Sequence, residues 1–425
     1  MISGRIPDSL TGALWALAAQ GSQAVGSFLV MALAARTLEI EELGKLGVLY
    51  GVLVLCAATT SGFVGDSLTV LDRSDRRLRA GMQLWLLTLS CVCGVLVPII
   101  IFTIGFVSGI EALLLGLAVA AYLVEDVLRR LLMANLGFAR IVVMDLSVTC
   151  VALCIVLLQN VNGSPSLTGY LAAIACGQSA GIVVGAALVP VPDRYLVRLR
   201  GADWKAVADF GSWRAAQQML RPGLMTAMRL ALLILVSLAA TGQLEIARIY
   251  AAPAMLFVGG ISSYLFAAYA KNRASTVAAL LAQADRALLI VLGITATGAA
   301  VALWALPLAG PLATGQTPDF LAVAGWLAYA ASVAIVSPYG ALAAIRGSAR
   351  RVFALRLADT LVSLACVVLV LHLTGEFALA PWAAALGSGL GGAAIRLLLL
   401  VPLKRDEWQK AHTNPPYERQ SGTHV

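Results

Sequence analysis

The sequence predicts an all-α integral membrane protein that crosses the bilayer about twelve times as helices. Three observations predict it. Of 425 residues, 60% are hydrophobic and only 12% are charged, against about 25% charged residues in a soluble globular domain. Apolar runs of about 20 residues, the length that spans a hydrocarbon core as helix, recur from Thr11 to Leu403. The breaks between them are short and include Gly- and Pro-containing stretches at 160–165 and 310–318, where an extended backbone would be unsatisfied in lipid.

The first helix is read at 11–35. One basic residue, Arg5, precedes it, and its apolar run exceeds the about 7–15 residues of a cleaved signal core, so it is expected to be retained. Helices follow at 46–70, 81–106, 110–133, 141–160 and 167–190, making an N-terminal lobe over 1–190. The longest connection, 191–210, is a basic linker. Within it Asp203, Trp204, Lys205, Val207, Ala208 and Phe210 are expected to form a short amphipathic segment on the membrane surface. Helices at 211–240, 246–270, 276–306, 317–345, 350–374 and 377–403 make a C-terminal lobe over 211–403, and 404–425 reads as a disordered tail. Trp15 and Trp213 each introduce a long apolar helix. An acidic outer turn follows each (Glu39, Glu41 and Glu42; then Glu245), and then a helix beginning near Tyr50 or Tyr250. These features suggest parallel repeats around a central cavity.

Loop charge gives the expected direction. Arg73, Arg76, Arg77 and Arg79 fall in one set of loops with Arg140, Arg194, Arg198, Arg200, Lys205, Lys271, Arg273, Arg346, Arg350, Arg351, Lys404, Arg405 and Lys410. The other set holds only Arg36, Lys45 and Arg248. Basic loops stay cytoplasmic, so both termini are expected there. The net charge of +8 therefore reads as topology rather than nucleic-acid binding, since no basic stretch is long or interleaved with aromatics.

Other classes are disfavoured by what the loops do not contain. There is no Gly-rich phosphate loop, HExxH or GxSxG, and no outer loop large enough to carry the acids of a membrane polymerase. No cofactor or metal is expected. The cysteines Cys56, Cys91, Cys93, Cys150, Cys154, Cys176 and Cys366 lie inside apolar spans without His or acidic partners at metal spacing. They read as small hydrophobes that pack helices.

Ionisable groups in the spans each cost roughly 2.5–3.5 kcal/mol to insert, so they mark candidate sites. The seventh helix carries Arg214, Gln217, Gln218, Arg221, Pro222, Thr226 and Arg229. Its arginines recur at spacings of seven and eight residues, which places them on one stripe. Arg214 lies close enough to the interface to snorkel, whereas Arg229 lies near mid-span and reads as an anion-binding group or one half of a buried pair. Glu125 and Asp126 precede Arg129 and Arg130 by four residues, and Arg356 precedes Asp359 by three; both spacings permit intrahelical pairs. Glycine pairs at Gly47 and Gly51, at Gly177, Gly181 and Gly185, and at Gly387 and Gly391 read as helix-packing sites.

The stretch from Leu33 to Tyr50, LAARTLEIEELGKLGVLY, resembles the end of the first helix in polysaccharide flippases of the multidrug/oligosaccharidyl-lipid/polysaccharide superfamily. Those proteins show an Ala-Arg-x-Leu-Gly-Pro-Glu-Glu-Phe-Gly pattern. Arg36, Glu41, Glu42 and Gly44 match it, while Glu39, Ile40 and Leu43 depart from it. The family's second lobe carries an Asp-Arg pair; here Arg229 matches and Met228 replaces the acid.

The resemblance implies a non-enzymatic transporter of the cell membrane. It would flip an undecaprenyl-pyrophosphate-linked oligosaccharide for surface polysaccharide biosynthesis by alternating access. Arg229, Arg221, Arg36, Gln217 and Gln218 are the expected substrate-binding residues. The expected partners are that anionic lipid-linked glycan, membrane lipid and polysaccharide assembly proteins, with no nucleic acid. A cation-coupled multidrug exporter of the same superfamily is the first alternative, although the span 11–35 contains no acid. A membrane-embedded assembly enzyme or scaffold is the second.

Overall fold

A computed structural model describes residues 8–194, 196–271 and 275–413. Arg5, Arg273 and the tail beyond 413 lie outside the described residues. The described chain is all helical apart from its short connections. Its long helices are α1 (Asp8–Thr37), α2 (Ile40–Thr60, continued through a π-helical turn Ser61–Gly65 and Asp66–Val70), α3 (Arg76–Thr103) and α4 (Gly109–Ala134). They continue as α5 (Phe138–Val161), α6 (Leu167–Leu188), α7 (Trp204–Leu235) and α8 (Leu238–Lys271). The last are α9 (Val277–Thr314), α10 (Phe320–Arg346), α11 (Ala349–Thr374) and α12 (Ala380–Ala394, continued through Ile395–Leu400 and Val401–Thr413).

Ten helices among the described residues are long and apolar enough to cross a membrane. Only α4 and α7 fall short of that apolarity, at 26 and 32 residues. Both have spanning length at 1.5 Å per residue, roughly 39 and 48 Å. Charge sets them apart: α4 holds Glu125, Asp126, Arg129 and Arg130, and α7 holds Arg214, Arg221 and Arg229. Outward faces of the other helices are apolar, with Val95, Ile99, Val183, Trp304 and Leu390 exposed. That surface suits lipid.

Local chemistry starts the helices where the sequence supplies caps. Ser108 and Glu111 form a reciprocal capping box at α4, and Asp75, Ser166 and Asp203 accept backbone N–H groups at the starts of α3, α6 and α7. Turns close with glycines at positive φ, including Gly105 at 74° and Gly163 at 68°, a region where side chains are rarely tolerated.

Several boundaries differ from the sequence reading. Helix α2 starts at Ile40, so Glu41 and Glu42 occupy its first turn, where acids favour the positive helix end; they do not form an outer turn. Residues 204–210 open α7 rather than forming a separate surface segment. Residues 404–413 extend the last helix instead of beginning a disordered tail, and the Glu407 carboxylate accepts the Val277 N–H at 2.6 Å. Cysteines do not chiefly pack helices: Cys91, Cys150, Cys154 and Cys176 are exposed thiols, and only Cys56 is buried.

The described chain divides into two compact units. One runs through Ala252 and takes in Ala305–Val323 and Val368–Ala378; the other comprises Pro253–Trp304, Ala324–Val367 and the chain from Leu379. This division differs from the six-helix lobes read from the sequence, because α7 and the start of α8 pack on α2. Within the first unit α1 packs on α5, α5 and α4 pack on α6, and α3 packs on α4. Its core gathers Leu43, Leu46 and Leu49 of α2, Leu115 and Leu123 of α4, and Tyr170 and Leu171 of α6. The Gly177, Gly181 and Gly185 series lets α6 approach Val148 and Met144 of α5, as expected for packing glycines. In the second unit Leu280, Leu281, Tyr339, Leu342 and Leu399 form the core. There Gly387 and Gly391 lie against Ser363 and Asp359.

Candidate functional site

One face of α2 is built from glycine. Gly44 approaches the Leu238 carbonyl and Gly62 approaches the Ala215 backbone, so α7 and α8 reach this helix at backbone distance. Between those points the glycines make room for charge. A Cβ at Gly47 would stand 2.6 Å from Glu245 Cγ, and one at Gly51 would stand 3.0 Å from Arg229 Nη1. The Gly51 carbonyl accepts the Thr226 hydroxyl at 2.9 Å, which fixes the turn of α7 that precedes Arg229.

Under this glycine face Arg229 Nε donates to Glu245 Oε1 at 2.6 Å, and Arg248 Nε donates to Glu245 Oε2 at 2.7 Å. The Glu245 side chain is 1% exposed and that of Arg229 7%, whereas Arg248 keeps 24%. Two guanidinium groups against one carboxylate leave one excess positive charge. The carboxylate uses each oxygen on a different arginine, so the loss of either cation leaves it paired. Loss of the acid would leave two cations, one of them buried, without it.

A second cluster lies where α4 meets α1, α2 and α5. Arg130 pairs with Asp126 at 3.1 Å and with Asp66 at 3.4 Å, and Asp66 also faces Arg214 at 3.9 Å. Ser61, in the π-helical turn, donates to Asp126 at 2.6 Å. Arg129 does not form the expected pair with Glu125. It turns to Asp145 of α5 at 3.3 Å and to the Ala19 carbonyl at 2.6 Å, and Asp145 also accepts from Ser22 at 2.6 Å. Glu125, Asp126 and Asp145 are all buried. The second unit has its own cluster: Arg396 binds Asp285 through two contacts of 3.0 Å, and Tyr339 donates to the same carboxylate at 2.7 Å. Arg356 pairs with Asp359 at 3.5 Å, as its spacing predicts.

The residues singled out from the sequence are therefore dispersed in environment. Arg229 is buried and paired, whereas Arg214, Arg221 and Gln218 are exposed and Gln217 is half-buried. The single arginine stripe does not hold as one environment: Arg214 and Arg221 stay exposed, while Arg229 is buried under Gly51 of α2. Arg36 donates to the Leu312 carbonyl at 2.7 Å, and its backbone and side chain lie against Gly315; it ties down the end of α9. Sequence reasoning missed Glu245 as the partner by reading it as part of an outer turn. Two signals pointed to it: the i,i+3 spacing of Glu245 and Arg248, and the glycine pair Gly47 and Gly51.

The fold and its clusters define an all-α, multi-pass membrane protein with ion pairs held inside its helix bundle. Solved structures of the same fold are transporters. One is an inward-facing conformation of a multidrug resistance MATE family transporter of the MOP superfamily, with TM-score 0.71 and 15% identity over 90% of this chain and 96% of that one. An outward-facing conformation described in the same terms gives 0.63 at 15% identity, covering 92% and 96%. A MOP superfamily transporter from Pyrococcus furiosus, described as having a binding pocket of reverse polarity, gives 0.60 at 14% identity, covering 92% and 96%. No protein-family model matches the chain, and no curated protein matches it.

Proposed function

We propose that this protein is a membrane transporter that flips an undecaprenyl-pyrophosphate-linked oligosaccharide across the cytoplasmic membrane by alternating access. The observation that carries this reading is the Arg229–Glu245–Arg248 cluster with its single excess positive charge. A desolvated guanidinium is suited to phosphate, which it meets with paired, charge-assisted hydrogen bonds. Glu245 holds Arg229 in place, the partly exposed Arg248 offers the accessible cation, and Arg221, Gln217 and Gln218 extend polar groups along α7. The likeness in fold to transporters supports the transport step, and the motif around Arg36 and Glu41 supports the glycan-lipid cargo.

A second reading is supported by the buried acids Glu125, Asp126 and Asp145. They suit a cation-coupled exporter of cationic drugs, and the fold is shared with multidrug resistance transporters. Reconstitution in vesicles separates the two. Movement of a fluorescent polyprenyl-pyrophosphate oligosaccharide supports the flippase; ion-gradient-driven movement of a cationic dye, with no lipid flipping, supports the exporter.

A further inference from the structure

A cavity of about 360 Å³ opens in the first unit between the ends of α2, α3, α4 and α6 and the strap that follows α6, within the range of small-ligand sites. Its body is apolar, lined by Val64, Leu68, Met82, Leu86, Leu128 and Leu131. Its mouth is ionic and carries Arg73, Arg79, Arg194 and Asp193. Three cations against one acid leave an excess of two positive charges there.

The mouth is built rather than a chance gathering of surface side chains. Arg73 pairs with Asp193 at 3.4 Å, and Asn135 donates to the same carboxylate at 2.8 Å. Arg79 donates to the Pro192 and Asp193 carbonyls at 2.9 and 2.6 Å. Arg194 donates to the Ala187 and Val189 carbonyls at 2.7 and 3.0 Å. The Val197 N–H is held by Gln83 at 3.1 Å. The strap is thus tied to α3 and α6 beside the mouth. A guanidinium has five N–H donors, so the contacts of Arg73 and Arg194 leave donors in fixed positions.

We infer that this cavity binds an acidic phospholipid of the leaflet next to the basic loops, with one acyl chain in the apolar body and the phosphate against Arg73 and Arg194. The chemistry selects this occupant. An apolar interior takes hydrocarbon, a doubly cationic rim takes an anion, and basic pockets at helix ends on the cytoplasmic side are suited to acidic headgroups. A zwitterionic lipid would satisfy the interior but not the excess charge. The inference is independent of the transported cargo, because none of these residues belongs to the Arg229 cluster.

Native mass spectrometry of the purified full chain in detergent tests it, with phosphatidylglycerol titrated against phosphatidylcholine of the same chains. The wild-type protein should retain phosphatidylglycerol at about tenfold lower concentration. Arg73→Gln with Arg194→Gln should remove that preference, and Ala186→Phe, which fills the cavity from an exposed position on its wall, should weaken retention of phosphatidylglycerol. Equal retention of the two lipids by the wild-type protein overturns the inference. So does unchanged retention of phosphatidylglycerol by Ala186→Phe, the variant that leaves the arginine network intact should the double variant fail to fold.

Discussion

Arg229 and Glu245 lie 16 residues apart and meet at 2.6 Å across the α7–α8 hairpin, with both side chains almost wholly out of solvent. The pair exists because α2 presents glycine where any larger residue would occupy its space. Its energetics are asymmetric. Removing one member of a buried pair costs about 3–5 kcal/mol, whereas replacing both by apolar residues is often neutral.

Glu245→Gln removes the carboxylate that both arginines share. It should destabilise the protein by about 3–5 kcal/mol, read as a lower thermal midpoint in detergent. Arg229→Met combined with Glu245→Met should recover most of that loss. A double variant no more stable than Glu245→Gln would mean that the pair is needed for folding in its ionic form.

The glycine face makes a graded prediction. Gly47→Ala places its Cβ 2.6 Å from Glu245 Cγ, whereas Gly51→Ala meets the far end of the flexible Arg229 side chain at 3.0 Å. Overpacking costs about 1–3 kcal/mol. Gly47→Ala should therefore lower the thermal midpoint more than Gly51→Ala, and the reverse order would contradict this packing of α2.

The Asp285–Arg396 pair of the second unit is 38% and 36% exposed. Water screens it, so Asp285→Asn should change stability by no more than about 1 kcal/mol. A loss as large as that of Glu245→Gln would show that the cluster is shielded in the membrane in a way its exposure does not indicate.

Arg248→Gln leaves Glu245 paired with Arg229 and brings the cluster from one excess positive charge to none. The fold should survive with a small change in thermal midpoint, while the apparent affinity for a pyrophosphate-linked lipid falls by about tenfold, the loss of one charge-assisted hydrogen bond. An unchanged affinity would remove Arg248 from the headgroup site.

Much of the bundle was legible because hydrophobic run length and polar breaks report directly on spanning helices. The ends were less so. Glu245 read as an acidic outer turn, yet α8 already starts at Leu238 and Gly242 packs against Ile40. The arginine spacing located the cluster but overextended it. A strict seven-residue repeat drifts by about 20° per heptad on a straight helix, and of the three arginines only Arg229 is buried. Glu125 and Arg129 have the right spacing for a pair, but Asp145 and the Ala19 carbonyl offer Arg129 partners that the linear sequence does not display. The Asp126–Arg130 and Arg356–Asp359 pairs form as their spacing permits.

The most direct test of the transport account is flipping of a fluorescent undecaprenyl-pyrophosphate oligosaccharide in vesicles containing either the wild-type protein or the Arg229→Met, Glu245→Met variant, matched for amount and thermal midpoint. The account predicts rapid flipping by the wild-type protein and a background rate in the variant. Wild-type flipping in the variant, or none in either protein alongside gradient-driven movement of a cationic dye, would contradict it.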